Sequence, residues 1–103
     1  MLITFEGLDC SGKTTQAKLL VEHLETLQKR NAGSAEYSLA ETKKVIFLRE
    51  PGGTELSERI RTLLLDRGNS QMTHITELFL FSAARAQVVS EVIKPALERG
   101  DIV

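Results

Sequence analysis

The run Gly7-Leu8-Asp9-Cys10-Ser11-Gly12-Lys13-Thr14 fits the spacing G-x-x-x-x-G-K-[ST], a loop that wraps phosphate groups. Gly7 and Gly12 permit backbone angles and close approaches that a Cβ blocks. Successive backbone N–H groups and a helix N-terminus can then surround an anion. Lys13 can reach the outer phosphates of a nucleotide, and the Thr14 hydroxyl is placed to ligate a phosphate-bound Mg²⁺. The competing reading is an ordinary glycine turn between a strand and a helix. The flanks favour phosphate binding: the apolar run Met1-Leu2-Ile3-Thr4-Phe5 precedes the loop, and a helical pattern begins near Lys13.

Further residues with chemical capacity stand later in the chain. Arg49-Glu50-Pro51-Gly52-Gly53-Thr54 directly follows the apolar run Val45-Ile46-Phe47-Leu48. That places an arginine and a glycine turn at the carboxyl end of a strand, the edge where open α/β sheets bind ligands. Phe81 and Arg85 fall one turn apart on the apolar side of a predicted helix. A guanidinium there must find a partner, because an unpaired buried charge is very costly. Either a carboxylate on a neighbouring element pairs with it, or Phe81 and Arg85 line a ligand cleft as aromatic platform and planar donor. Cys10, near a helix N-terminus, is either a reactive thiolate or an inert thiol.

The elements that must hold these residues are legible in the periodicity. Leu2 to Glu6 reads as a buried strand. From Lys13 to about Lys29, Ala17, Leu20, Val21, Leu24 and Leu27 repeat with helical spacing, with Lys18, Glu22, Glu25 and Lys29 opposite. His23 reads as a packed or edge residue of that helix, not a catalytic one. Residues 31–43 are polar and aperiodic, an extended surface connection. Val45–Leu48 reads as a second buried parallel strand. Thr54 is a candidate N-cap for a helix carrying Leu56, Ile60, Leu63 and Leu64 on one face and ending near Asp66. Thr73 or Thr76 caps a third helical stretch, whose apolar face over 78–97 is Leu78, Phe81, Ser82, Val89, Val92, Ile93 and Ala96, with Arg85 near its centre. Pro95 bends that element or starts a new one. Gly100 ends it, and Asp101-Ile102-Val103 has the character of a third strand.

The bulk composition narrows the partners. The chain has 103 residues, a formal net charge of −1, 42% hydrophobic and 26% charged residues, and a single cysteine. One small domain fits that length. Without a block of like charges, neither a nucleic-acid polymer nor an anionic membrane surface has an electrostatic footprint. A lone cysteine forms no intrachain disulfide and suggests a reducing compartment, the cytoplasm by default. A parallel sheet carries cover on both faces, yet only two complete strand candidates are present for three helical stretches. The expectation is therefore that residues 1–103 are the N-terminal part of a larger domain.

Taken together, Glu6-Gly7-Leu8-Asp9, Gly12-Lys13-Thr14-Thr15, Arg49-Glu50-Pro51-Gly52-Gly53-Thr54 and Phe81-Ser82-Ala83-Ala84-Arg85 resemble thymidylate kinase of the bacterial type. The glycine loop alone is shared with many ATPases and GTPases, and the Arg-Glu-Pro-Gly-Gly-Thr run is far more specific. The likeness runs from Met1 to Val103 apart from 31–43, which is longer than the family usually has. It implies an α/β fold of the P-loop nucleoside-monophosphate-kinase type, three-layered around a central parallel sheet, and a homodimer.

It also implies transfer of the γ-phosphoryl group of ATP, with Mg²⁺, to thymidine monophosphate. Gly7, Leu8, Asp9, Cys10, Ser11, Gly12, Lys13, Thr14 and Thr15 would hold ATP, with Thr14 on the metal. Asp9, Arg49, Pro51, Gly52, Phe81 and Arg85 would receive thymidine monophosphate: Arg49 on its phosphate, Phe81 stacked on the base and Arg85 at the base edge. Lys13, Asp9 and Arg49 would be the catalytic set, although Asp9 could equally hydrogen-bond within its loop. Some members carry an arginine at the position of Cys10; others carry the catalytic arginine in a later lid. The resemblance then implies the lid type, with an Asp-Arg-aromatic run after the third strand, so the 103-residue chain alone should be a poor catalyst. The alternatives are another nucleotide or nucleoside kinase of this fold, or a nucleotide-dependent switch ATPase.

Overall fold

The computed structural model describes residues 1–31 and 43–103. The surface connection expected at 31–43 lies, apart from its end residues, outside the described residues. The chain divides into two compact units, one of Met1–Phe47 with Leu97–Val103 and one of Leu48–Ala96.

In the first unit, α1 spans Lys13–Asn31. It begins where Gly12, at φ +87°, turns the chain, and the Gln16 N–H donates to the Gly12 carbonyl at 3.0 Å. The predicted stripe holds through Leu24: Ala17, Leu20, Val21 and Leu24 are half-buried, but Leu27 is exposed, as are Lys18, Glu22, His23, Glu25 and Lys29. Lys29 and Arg30 fall in the last turn, where cations complement the helix dipole.

The strand expectations are met only in part. Ile102 and Val45 form a parallel bridge, with Ile102 N–H to Lys44 O at 2.9 Å and Ile46 N–H to Ile102 O at 2.8 Å. On its other side, Val103 N–H donates to Met1 O and Ile3 N–H to Val103 O, both at 2.9 Å. The 101–103 segment therefore runs between the other two. No continuous strand is formed among the described residues. Leu2 and Phe5, expected inside, are exposed. A buried parallel strand needs cover on both faces, and α1 is the one long helix of this unit among the described residues.

Asp101 organises that junction. It is buried, its Oδ1 accepts the Lys44 N–H at 3.0 Å, and its Oδ2 accepts from Arg99 Nε at 3.1 Å and NH2 at 3.0 Å. Its carbonyl oxygen takes a hydrogen bond from the Met1 ammonium at 2.6 Å. The Lys44 N–H first, then Arg99, holds the Asp101 carboxyl below its ordinary value despite burial.

The second unit is a helix pair. In α2, Glu55–Leu65, the Thr54 hydroxyl accepts the Ser57 N–H at 3.1 Å and is the expected N-cap. Asn69 Nδ2 donates to the Leu63 carbonyl at 3.0 Å, satisfying a last-turn acceptor where the helix ends. In α3, His74–Val88, the cap is Thr73, not Thr76. The buried face of α2 is Ser57 and Ile60, with Arg61 and Leu64 half-buried; Leu56 and Leu63 are exposed, contrary to expectation. An apolar count passes over Ser57, which is fully buried because its hydroxyl finds a partner on α3: Oγ donates to the Ala84 carbonyl at 2.9 Å.

The face predicted for 78–97 is corrected in its first half. Ala84 and Val88 are buried, whereas Leu78, Phe81, Ser82 and Val89 are exposed. In the second half, Val92 and Ile93 are half-buried and Ala96 fully buried, as expected. The reason is a π turn at Val89–Ile93, closed by Lys94 N–H to Val89 O, ahead of α4, Lys94–Glu98. A π turn inserts about one extra residue, so the face before it is rotated by about one residue against the face after it. A single helical phase cannot describe both. Pro95 supplies a cause, since its ring would crowd the carbonyl four residues back in a regular α-helix.

Candidate functional site

The glycine loop curls around its own lysine. Lys13 Nζ donates to Gly7 O at 2.7 Å and Leu8 O at 2.5 Å, and the Ser11 N–H donates to Leu8 O at 3.3 Å. Gly7 at φ +148°, Cys10 at +61° and Gly12 at +87° alternate with ordinary residues to produce that curl. Gly7 is needed for space as well: a Cβ there would stand 3.1 Å from Ser11 Oγ. Leu8, Asp9, Cys10, Ser11, Gly12, Thr14 and Thr15 are exposed. A cation drawn over two carbonyls, on a loop ending at a helix N-terminus, can contribute positive charge to a bound phosphate.

Thr14, the second residue of α1, presents a hard hydroxyl oxygen of the kind Mg²⁺ accepts. Among the described residues no group of His, Cys, Asp and Glu gathers into a metal cage. A lone hydroxyl suits a metal that takes its other ligands from phosphates and water, so Thr14 fits the expected role.

The second unit carries the other half of the predicted residues. Arg49, Pro51, Gly52, Phe81 and Arg85 all belong to it, as do Glu58 and Glu50, the carboxylates that pair with the two arginines. Arg49 NH2 donates to Glu58 Oε2 at 3.1 Å, and the Gly53 N–H donates to Glu58 Oε1 at 3.1 Å. Arg61 NH1 donates to the Pro51 carbonyl at 3.0 Å. The Glu50–Pro51 peptide bond is cis, and Gly52 and Gly53 have φ of +142° and +86°. A Cβ on Gly53 would lie 3.0 Å from Leu48 Cδ2 and 3.1 Å from Val88 Cγ2, so the turn presses against α3. The turn is therefore held by side chains at three points.

Arg85 departs from the buried face expected for it. It is an exposed residue, its side chain 70% accessible, and Nε and NH2 both donate to Glu50 Oε2. The bland alternative, a carboxylate partner on a neighbouring element, is what the structure contains. Phe81 stands one turn earlier on α3 and is 44% exposed, so part of its ring surface is open to a ligand. Glu50, Glu58 and Arg61 were missed as site residues. The available signal was an acidic residue in the first turns of α2, immediately after an arginine-bearing glycine turn.

A family model described as thymidylate kinase matches residues 5–103. The thymidylate kinase of Pelobacter propionicus is 52% identical over 101 residues, covering 98% of this chain and 40% of the relative. That of Desulforudis audaxviator is 48% identical over 103 residues, covering 100% of this chain and 41% of the relative. That of Symbiobacterium thermophilum is 45% identical over 103 residues, covering 100% of this chain and 42% of the relative. The chain thus spans about two fifths of the length of these relatives.

Proposed function

This chain belongs to the thymidylate kinase family, and on that premise we propose that the full-length protein transfers the γ-phosphoryl group of ATP to thymidine monophosphate. What supports the reading most is the Arg49–Thr54 turn. A glycine loop alone suits any nucleotide hydrolase, whereas an arginine on a turn braced by Glu58 and Arg61 supplies a second phosphate-receiving surface.

Phosphoryl transfer asks a protein chiefly to align donor and acceptor and to stabilise charge on the transferred group. The loop from Gly7 to Thr15 binds the ATP phosphates through its N–H groups, and Lys13 shifts from its carbonyl partners toward the outer phosphates. Arg49 receives the acceptor phosphate, and Pro51 and Gly52 shape the wall beside it. Phe81 stacks on the base; Arg85, oriented by Glu50, reaches the base edge. Asp9 contacts the acceptor from the loop. Thr14, together with the nucleotide phosphates, would hold Mg²⁺, which would neutralise charge on the phosphates when bound. Residues 1–103 form the N-terminal part of one kinase domain of the P-loop type, three-layered around a parallel sheet, and the protein acts as a cytoplasmic homodimer. Among the described residues no helix is long and apolar enough to cross a membrane.

The test is phosphorylation of a panel of nucleoside monophosphates by the full-length protein with ATP and Mg²⁺. Thymidine monophosphate should give the highest kcat/KM. Preference for another base would overturn the substrate assignment, and rapid transfer to water without an acceptor would favour a switch ATPase.

A further inference from the structure

We infer that Glu58 is a positioning residue for the acceptor phosphate, aiming Arg49 and locking the glycine turn behind it; this rests on the role proposed above for Arg49. The two carboxylate oxygens of Glu58 serve different partners. Oε1 accepts the Gly53 N–H and Oε2 accepts from Arg49 NH2, each at 3.1 Å. One planar group therefore ties the backbone of the turn to the guanidinium that precedes it. Gly52 makes this possible, since a Cβ there would stand 2.5 Å from Glu58 Oε1 and 3.3 Å from the Arg49 carbonyl oxygen. Arg61, one turn further along α2, fastens the Pro51 carbonyl at 3.0 Å, so α2 grips the turn at a second point.

The grip leaves Arg49 able to act. A guanidinium offers five N–H donors, and Glu58 engages Arg49 through NH2. The Arg49 side chain remains 61% exposed, with donors to spare for an anion. Preorienting a long side chain removes part of the ordering cost that binding would otherwise incur. The Gly53 N–H, with Arg49 and Arg61 behind it, holds the Glu58 carboxyl below its ordinary value, so it stays ionised through the neutral range. A carboxylate beside Arg49 also offsets the arginine's charge and repels an incoming phosphate. Positioning and neutralisation thus have opposite signs, and an experiment can separate them.

The measurement is steady-state kinetics of the full-length protein with ATP and thymidine monophosphate, for Glu58→Gln, Arg49→Ala and the double variant, alongside thermal midpoints. The two bonds fall on different oxygens of Glu58, and an amide puts an NH2 donor at one of those positions, facing either the Gly53 N–H or Arg49. Glu58→Gln should raise the acceptor KM by about 10-fold, leave the ATP KM within about twofold, and add nothing further to Arg49→Ala. An unchanged or lowered acceptor KM, with Arg49→Ala raising it, would overturn the inference and leave the role of Arg49 intact. Equal increases in both KM values with additive effects would also overturn it, as the mark of a purely structural role. No change in acceptor KM for Arg49→Ala would remove the role of Arg49 and this inference with it. Should the amide variant fold poorly, Glu58→Asp keeps the charge and shortens the reach, and the same coupling to Arg49 is expected.

Discussion

Ser57 Oγ donates to the Ala84 carbonyl oxygen at 2.9 Å where both residues are buried, fixing α2 against α3 at a point with no large side chain on either helix. The Thr54 hydroxyl donates to Ser57 Oγ at 2.9 Å, so the N-cap of α2 and its contact with α3 form one hydrogen-bonded chain. Through this chain the turn that carries Arg49 is referenced to the helix that carries Phe81 and Arg85.

Ser57→Ala removes the middle of that chain. The Thr54 hydroxyl loses its acceptor and Ala84 loses one donor, so the variant should be about 1–2 kcal/mol less stable in urea denaturation. Ser57→Leu should cost more, about 2–3 kcal/mol, because the helices have no room for the added carbons. A leucine variant as stable as the parent would mean that the two helices do not meet here.

Lys13→Ala removes the charge the loop places over Gly7 and Leu8. Turnover should fall by orders of magnitude through lost electrostatic stabilisation of the transferred group. Single-turnover phosphorylation of thymidine monophosphate gives the reading, and near-normal turnover would exclude the assigned role.

Arg85→Ala should weaken acceptor binding more than ATP binding. The pair with Glu50 is solvent-exposed, so its loss should change stability little, within about 0–1 kcal/mol. Calorimetric titration of each nucleotide separates the two effects, and equal weakening of both would count against contact with the base.

Asp101 gives the first unit an acid-sensitive contact. Folding lowers its pKa through the Lys44 N–H and Arg99, so the charged carboxylate is the stabilising form. That contribution is complete above the ordinary aspartate value of about 4 and is lost as pH falls through the lower folded value. Asp101→Asn should therefore lower the thermal midpoint at neutral pH and shrink its difference from the parent toward acid. A midpoint difference that stays constant down to about pH 2 would contradict this.

The local features of this molecule were settled by short-range chemistry and could be read in order along the chain. The loop from Gly7 to Thr14 has its shape because glycines at set spacing admit positive φ, which depends on no distant residue. The caps Thr54 and Thr73 follow from side chains bonding their own neighbours, and the start of α1 at Gly12 and the stop at Gly100 follow from glycines at positive φ.

What tertiary structure alone decided is which surfaces meet. The buried face of α3 could not be read from periodicity, since His74–Val88 is apolar nearly all round and the π turn at Val89–Ile93 shifts the register midway. Ser57 is buried only because the Ala84 carbonyl waits on another helix. The partners of Arg49 and Arg85 were likewise invisible. Glu58 and Glu50 are two of many carboxylates in the chain, and the packing of the turn between α2 and α3 selects them. Hydrogen-bond partners far apart in sequence are chosen by geometry that only the folded chain creates.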